Sequence, residues 1–200
     1  MAEPDYVAIN REGWTRANAE YTDANAREAW GQKEVTWGKW SLPESEVRGL
    51  PDVAGKDVVE LGCGTGYFGA WLKRAGASRV VGVDVTPAQL ETAGRMNEEF
   101  GLGLEFLLEN AERTSLPGES FDLVFSEYGA SIWCDPKLWL AEAARLLRAG
   151  GRCGVEHDDT TSARAVEAFT RTGRFVDVTA RHDLTGRPRF VTAVRERLTS

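Results

Sequence analysis

The chain has 200 residues, 42% of them hydrophobic and 28% charged, and carries a formal net charge of −7 with a pI near 5. That length suits one domain, 1–200, with a sizeable core, and the acidic balance argues against non-specific nucleic-acid binding, which needs basic patches. No apolar stretch approaches a membrane span, the N-terminus lacks the basic and apolar regions of a signal peptide, and Cys63, Cys134 and Cys153 have no metal-ligand spacing and leave one cysteine unpaired, so a reducing cytoplasm with no membrane association and no bound metal is expected.

Residues 1–48 are polar and alanine-rich, with tryptophans at 14, 30, 37 and 40. The segment 13–32 reads as one or two amphipathic helices. They either pack on the edge of a sheet or form a cap over a site, with Tyr21, Trp37 or Trp40 facing it. From Asp57 onward, strand and helix patterns alternate, which predicts a parallel sheet covered on both faces. Strand 57–61 is followed by a helix to Ala75, stopped by Gly76. After strand 79–84, Thr86-Pro87-Ala88-Gln89 offers an N-cap, a first-turn proline and a capping-box glutamine for a helix to about Phe100. Strands 104–108 and 121–126 come next. Asp135-Pro136 opens a helix whose C-terminus is marked by Arg145, Arg148 and Gly150-Gly151. Strand 152–156, helix 161–172 and a pair of strands, 175–182 and 189–196, complete the series.

The most informative stretch is Val58-Val59-Glu60-Leu61-Gly62-Cys63-Gly64-Thr65-Gly66. A buried strand ends in a carboxylate, and glycine at every second position then allows a sharp turn and close approach of a ligand to bare backbone. A second strand, Arg79 to Asp84, ends in another acid about 20 residues on, the spacing of a ribose-gripping carboxylate. A nucleoside-containing cofactor follows. The glycines Gly64, Gly66 and Gly69 also satisfy G-x-G-x-x-G, so the pattern by itself fits NAD as well. S-adenosylmethionine (SAM) is favoured by Glu60 ahead of the glycines, by Asn110-Ala111-Glu112 after the third strand, and by the closing pair of strands.

Together these motifs resemble the class I SAM-dependent methyltransferases, whose glycine motif reads E/D-x-G-x-G-x-G, from about residue 35 to the end. The resemblance implies a Rossmann-like α/β fold: a seven-stranded, mostly parallel sheet with an antiparallel last strand, an N-terminal helical cap over 1–48 and a SAM-binding core over 49–200. Up to about residue 150 the chain is similar to small-molecule or type-11 methyltransferases. The tail, Val155-Glu-His-Asp-Asp-Thr-Thr-Ser-Ala and Asp183-Leu-Thr-Gly-Arg-Pro-Arg-Phe-Val-Thr-Ala, resembles the protein-(glutamine-N5) methyltransferase of release factors. The composition also breaks there: residues 1–150 sum to −9 and 151–200 to +2, with nine arginines and no lysine in the last fifty.

For SAM, the expected roles are these. Glu60 and the backbone of Gly62 take the methionyl ammonium side. Gly64 and Gly66 let the chain pass beneath ribose and methionine, and Cys63 lies between glycines of that loop, as lining or as small filler. Asp84 accepts from the ribose hydroxyls, Val85 flanks the adenine, and Asn110 and Ala111 read its edge, or Asn110 is a plain turn residue. Glu112 is expected to face solvent. Glu127 and Tyr128, at a strand's carboxyl end, are expected to touch cofactor or acceptor, and His157 is a catalytic base or a structural strand-end histidine. The acceptor is a small molecule or a protein. The Asn-Pro-Pro-Tyr motif of the glutamine methyltransferases is absent, Ser126-Glu-Tyr-Gly129 standing there, so their activity does not carry over. The expected function is methyl transfer, with a SAM-binding module of little turnover as the alternative.

Overall fold

The computed structural model describes residues 4–37, 42–183 and 185–197. Two helices come first, α1 (Asp5–Ala19) and α2 (Asp23–Gly31), then two short paired strands, β1 (Thr36–Trp37) and β2 (Leu42–Pro43), and a one-turn helix α3 (Glu44–Val47). The alternating part follows: β3 (Asp57–Leu61), α4 (Tyr67–Arg74), β4 (Arg79–Asp84), α5 (Pro87–Phe100), β5 (Glu105–Leu108), β6 (Phe121–Ser126), α6 (Ala130–Trp133), α7 (Pro136–Leu146), β7 (Leu147–Glu156), α8 (Ser162–Arg171), β8 (Phe175–His182) and β9 (Pro188–Arg195). Among the described residues no helix is long and apolar enough to cross a membrane.

The main sheet has seven strands in the order β5-β4-β3-β6-β7-β9-β8. Every pairing is parallel except those of β9, which runs against both β7 and β8. This is the parallel sheet that the alternation predicted, with the reversed last strand that the resemblance implied. Central β3 is buried on both faces: Val58, Val59 and Leu61 are fully enclosed, as a parallel strand between helical layers requires. Val58 joins the layer of α2, α4 and α5 with Trp30, Phe68 and Met96, whereas Val59 and Leu61 join the layer of α7 and α8 with Trp139 and Phe169.

Three local expectations need correction. The N-terminal helices begin at Asp5, not near residue 13. β7 starts at Leu147, not 152, because Leu147 pairs with Phe121 before the register shifts across Gly150, whose φ is +84°. Thr86 caps α5 without a side-chain bond. The supposed capping-box Gln89 instead turns toward the glycine loop, its Oε1 only 2.7 Å from where a Cβ on Gly64 would stand. Asp135 does cap α7, accepting from the Lys137 amide at 2.8 Å.

Candidate cofactor and active site

The site begins where β3 and β4 end side by side. The amides of Gly62 and Cys63 both donate to the Val83 carbonyl, at 2.7 and 3.0 Å, so the glycine turn is drawn down onto the neighbouring strand. Gly62 has φ +90°, and a Cβ there would lie 2.2 Å from the Ala130 nitrogen, so only glycine admits this turn beside the start of α6. Asp84, at the tip of β4, ties two loops together: Oδ2 accepts from the Gly64 amide and Oδ1 from the Thr86 amide, each at 2.8 Å. Burial raises the pKa of this carboxyl, while those amide donors pull it the other way.

Glu60 is 3% exposed, and among the described residues its Oε2 finds no hydrogen-bond partner. Burial pushes its pKa well up, and the negative charges of Glu127 and Asp84 push it further. Glu127, beyond the end of β6, accepts from the Tyr67 hydroxyl at 3.2 Å through Oε2. Desolvation and the neighbouring carboxylates hold the Tyr67 phenol well above its usual range. A buried carboxylate oxygen without a donor is costly unless a cation or donor arrives.

Above these groups lies a cavity of about 350 Å³, within the size range of small-molecule sites. Of the residues singled out from sequence, Glu60, Gly62, Cys63, Gly64, Asp84, Val85, Asn110, Ala111, Glu127 and Tyr128 all line it. Gly66 does not: it is the left-handed N-cap of α4, and a Cβ there would lie 2.9 Å from the Phe106 ring. Its task is to admit that ring and turn the chain into the helix. His157 does not line the cavity either. Its ring folds back on its own chain, Nδ1 lying 2.8 Å from the Asp158 carbonyl oxygen, and its Nε2 is buried without a partner. A general-base role for His157 at this cavity is therefore not supported by its position.

Asn110 both lines the cavity and makes a turn, its Oδ1 accepting from the Glu112 amide at 2.9 Å. Glu112 corrects the expectation of a solvent-facing side chain. It is 9% exposed, and its Oε1 accepts from the Tyr6 hydroxyl at 2.5 Å and from the Asp135 amide at 2.7 Å. The acid is retained inside because it anchors α1 and the start of α7 at once.

The roof is α1. Tyr6, Asn10, Trp14 and Ala17, with Tyr21 just beyond the helix, all line the cavity. Polar side chains pin the helix: Asn10 to the Trp133 carbonyl at 3.0 Å, Arg11 to that of Val85 at 3.1 Å and Asn18 to that of Ala88 at 3.1 Å. Trp14 meets Trp133 of α6 edge-on, with ring centroids 5.6 Å apart. α2 is fixed separately: the indole of Trp30 donates to the Thr65 carbonyl at 2.8 Å. Of the aromatics expected to face a site, Tyr21 does so. Trp37 instead packs on Phe68 and Phe190, and Trp40 lies outside the described residues. Sequence reasoning missed Tyr6, Trp14, Tyr67 and Trp133. The spacing 6, 10, 14, 17, 21 is one helical stripe and carried the signal for the first two. Among the described residues no cluster of His, Cys, Asp and Glu could hold a metal ion.

Sheet order, glycine turn and the acid at the neighbouring strand tip define an α/β protein that binds a nucleoside cofactor at the carboxyl ends of its strands. The family model described as Methyltransferase domain, of type 11, matches residues 59–155. The release factor glutamine methyltransferase of Mycolicibacterium smegmatis is 44% identical over 168 residues, which takes in 69% of this chain and 58% of that protein. The chain thus spans less than two thirds of that relative's length. Among solved structures, a geranyl diphosphate methyltransferase in complex with GPP and sinefungin matches with a TM-score of 0.69 at 16% identity, covering 95% of this chain and 99% of that one. An S-adenosylmethionine-dependent methyltransferase from Mesorhizobium loti matches with a TM-score of 0.61 at 22% identity, covering 76% and 96%. By these likenesses the chain is similar to the class I SAM-dependent methyltransferases, whose cofactor is SAM.

The residues present fit this cofactor. Glu60 presents an unpaired buried carboxylate oxygen suited to an ammonium. Asp84 keeps free lone pairs for hydroxyl donors after its two amide bonds. Val85 and Ala111 give the same cavity apolar walls, and Asn110 adds an amide at its edge.

Proposed function

We propose that this protein transfers a methyl group from SAM to an acceptor that approaches past Tyr128 and Trp133. The single observation that carries the reading is the buried, partnerless Oε2 of Glu60 beside the glycine turn. Bound there, SAM supplies an electrophilic methyl on a sulfonium, and its positive charge is discharged as the methyl leaves. The protein's work is then chiefly to orient and to exclude water. Glu60 and the Gly62 backbone hold the amino-acid end, Asp84 the ribose, and Val85, Asn110 and Ala111 the base. The α1 roof, pinned on two loops and on the end of α6, keeps water from the reacting centre. Tyr67 and Glu127 stand as a hydrogen-bonded pair on the cavity wall and shape the end nearest the acceptor.

The acceptor is a small molecule or a protein. Tyr128 is 57% exposed and Trp133 44%, so an acceptor can rest against them at the mouth. The relatives named for release-factor glutamine point to one class, but Ser126-Glu-Tyr-Gly129 replaces the Asn-Pro-Pro-Tyr of that resemblance. A second reading, a SAM-binding module with little turnover, is favoured by the position of His157, which leaves no histidine at the cavity among the described residues.

Titration calorimetry with S-adenosylhomocysteine tests the cofactor half: Glu60→Gln and Asp84→Ala should each weaken binding at least about tenfold. Unchanged binding in both variants overturns the pose. Transfer of label from methyl-labelled SAM into an extract, dependent on the protein, separates the enzyme from the binding module.

A further inference from the structure

A second cavity, of about 280 Å³, lies on the far half of the sheet, over β6, β7, β9 and β8 and on the face opposite α7 and α8. Its floor is aromatic: Trp37, Phe125 and Phe190, with the Trp37 and Phe190 rings 5.2 Å apart. At its centre Gly154 leaves a trough, since a Cβ there would meet nothing within 4 Å. Its rim is cationic. Arg48, Arg152 and Arg181 line it and are all exposed. Glu156 on the wall is already neutralised, its carboxylate 2.7 Å from Arg189, which among the described residues leaves Asp177 as the one other lining carboxylate. Three guanidinium groups around one acid make this patch positive on a chain whose net charge is −7. Arg152 and Arg181 belong to the arginine-only tail that the first cavity leaves unexplained.

We infer that this cavity is a binding site for a small amphipathic anion, an apolar body seated on the aromatic floor with a carboxylate or phosphate held at the arginine rim. The guanidinium fork matches either anion bidentately, which a lysine ammonium does not. The Gly154 trough gives an apolar chain room to lie against the sheet, and Trp37 and Phe190 present ring surface to it. The site is separate from the cofactor cavity and does not depend on how that cavity is used.

The test is fluorescence titration of the full chain with 8-anilinonaphthalene-1-sulfonate, followed by displacement. Octanoate and octyl phosphate should both displace the dye, the better of the two naming the headgroup. Octanol and octyltrimethylammonium should not displace it. Arg152→Gln and Arg181→Gln should each weaken dye and octanoate about tenfold. Gly154→Leu, which fills the trough, should abolish binding. All three should melt within a few degrees of the parent protein: among the described residues neither guanidinium carries an ion pair, Arg181 gives up one exposed hydrogen bond to Thr192, and a Cβ on Gly154 meets nothing within 4 Å. Equal displacement by octanol, indifference to all three substitutions, or displacement by poly-glutamate but not by octanoate overturns the inference.

Discussion

The Tyr6 hydroxyl donates to Glu112 Oε1 across 2.5 Å and 106 residues of sequence. It joins the first turn of α1 to the loop after β5, so the roof of the cavity is latched to the wall that carries Asn110 and Ala111. Replacing Tyr6 with Phe removes the latch and leaves the Glu112 carboxylate held by the Asp135 amide. We expect a loss of about 1–2 kcal/mol of closure, seen in stopped-flow as several-fold to thirtyfold faster release of S-adenosylhomocysteine with little change in melting temperature.

The same pair has a pH signature. The hydrogen bond to Glu112, with burial next, raises the Tyr6 phenol from 10.0 to about 12. A raised phenol pKa means that the folded form keeps its proton longer. Its contribution is full below pH 10 and is lost as pH climbs from 10 toward about 12. Cofactor release should accelerate over that window in the parent protein and stay flat in Tyr6→Phe.

Glu60→Gln should have opposite effects on the ligand-free and bound protein. The unfolded carboxyl ionises near 4.5 and the buried one later. The native carboxyl therefore favours folding at low pH, and its contribution is lost as pH rises beyond that value. Without that penalty, the ligand-free variant should be more stable at pH 7 by about 1–2 kcal/mol, read by urea unfolding. The stabilisation on adding S-adenosylhomocysteine should shrink.

Gly62→Ala puts a methyl 2.2 Å from the Ala130 nitrogen at a φ of +90°. Strain and backbone collision together should cost about 3 kcal/mol or more. Gly154→Ala, in open space, is the control and should cost under about 1 kcal/mol.

Tyr128 sits at φ +47°, a left-handed conformation that a bulky residue adopts at a cost. The Glu156 carboxylate accepts its amide at 3.2 Å and helps hold it there. Tyr128→Gly should raise the melting temperature by relieving about 1 kcal/mol, while methyl transfer falls if the ring meets the acceptor. Tyr128→Ala keeps the strain and should show no such gain.

Much of the sheet was legible because its strands are buried runs of β-branched residues ended by glycine, proline or acid. Val58-Val59 and Val80-Val81 can hardly sit elsewhere than between helical layers. Most of the cavity-lining residues were legible for a related reason: they stand at or just past the carboxyl ends of such strands. What escaped was whatever depends on distant partners. Glu112 looks like a surface acid until Tyr6 arrives from α1, 106 residues away. Gln89 has the spacing of a capping box, yet its amide goes to the glycine loop. His157 stands one residue beyond β7, where a base would stand, but its ring turns to its neighbour's carbonyl. Local pattern fixes where a side chain starts, and tertiary packing decides where it goes.

β9 touches two neighbours in opposite senses, β7 on one side and β8 on the other. β8 therefore reaches the parallel strands only through this one reversed segment. Disturbing it would open two ladders together and strand the outermost ribbon, whereas fraying at β5, the opposite margin, breaks a single ladder. The two flanks of the molecule should thus differ sharply in how their amides exchange with deuterium: gradual loosening beside β5, and cooperative release of β8 with β9.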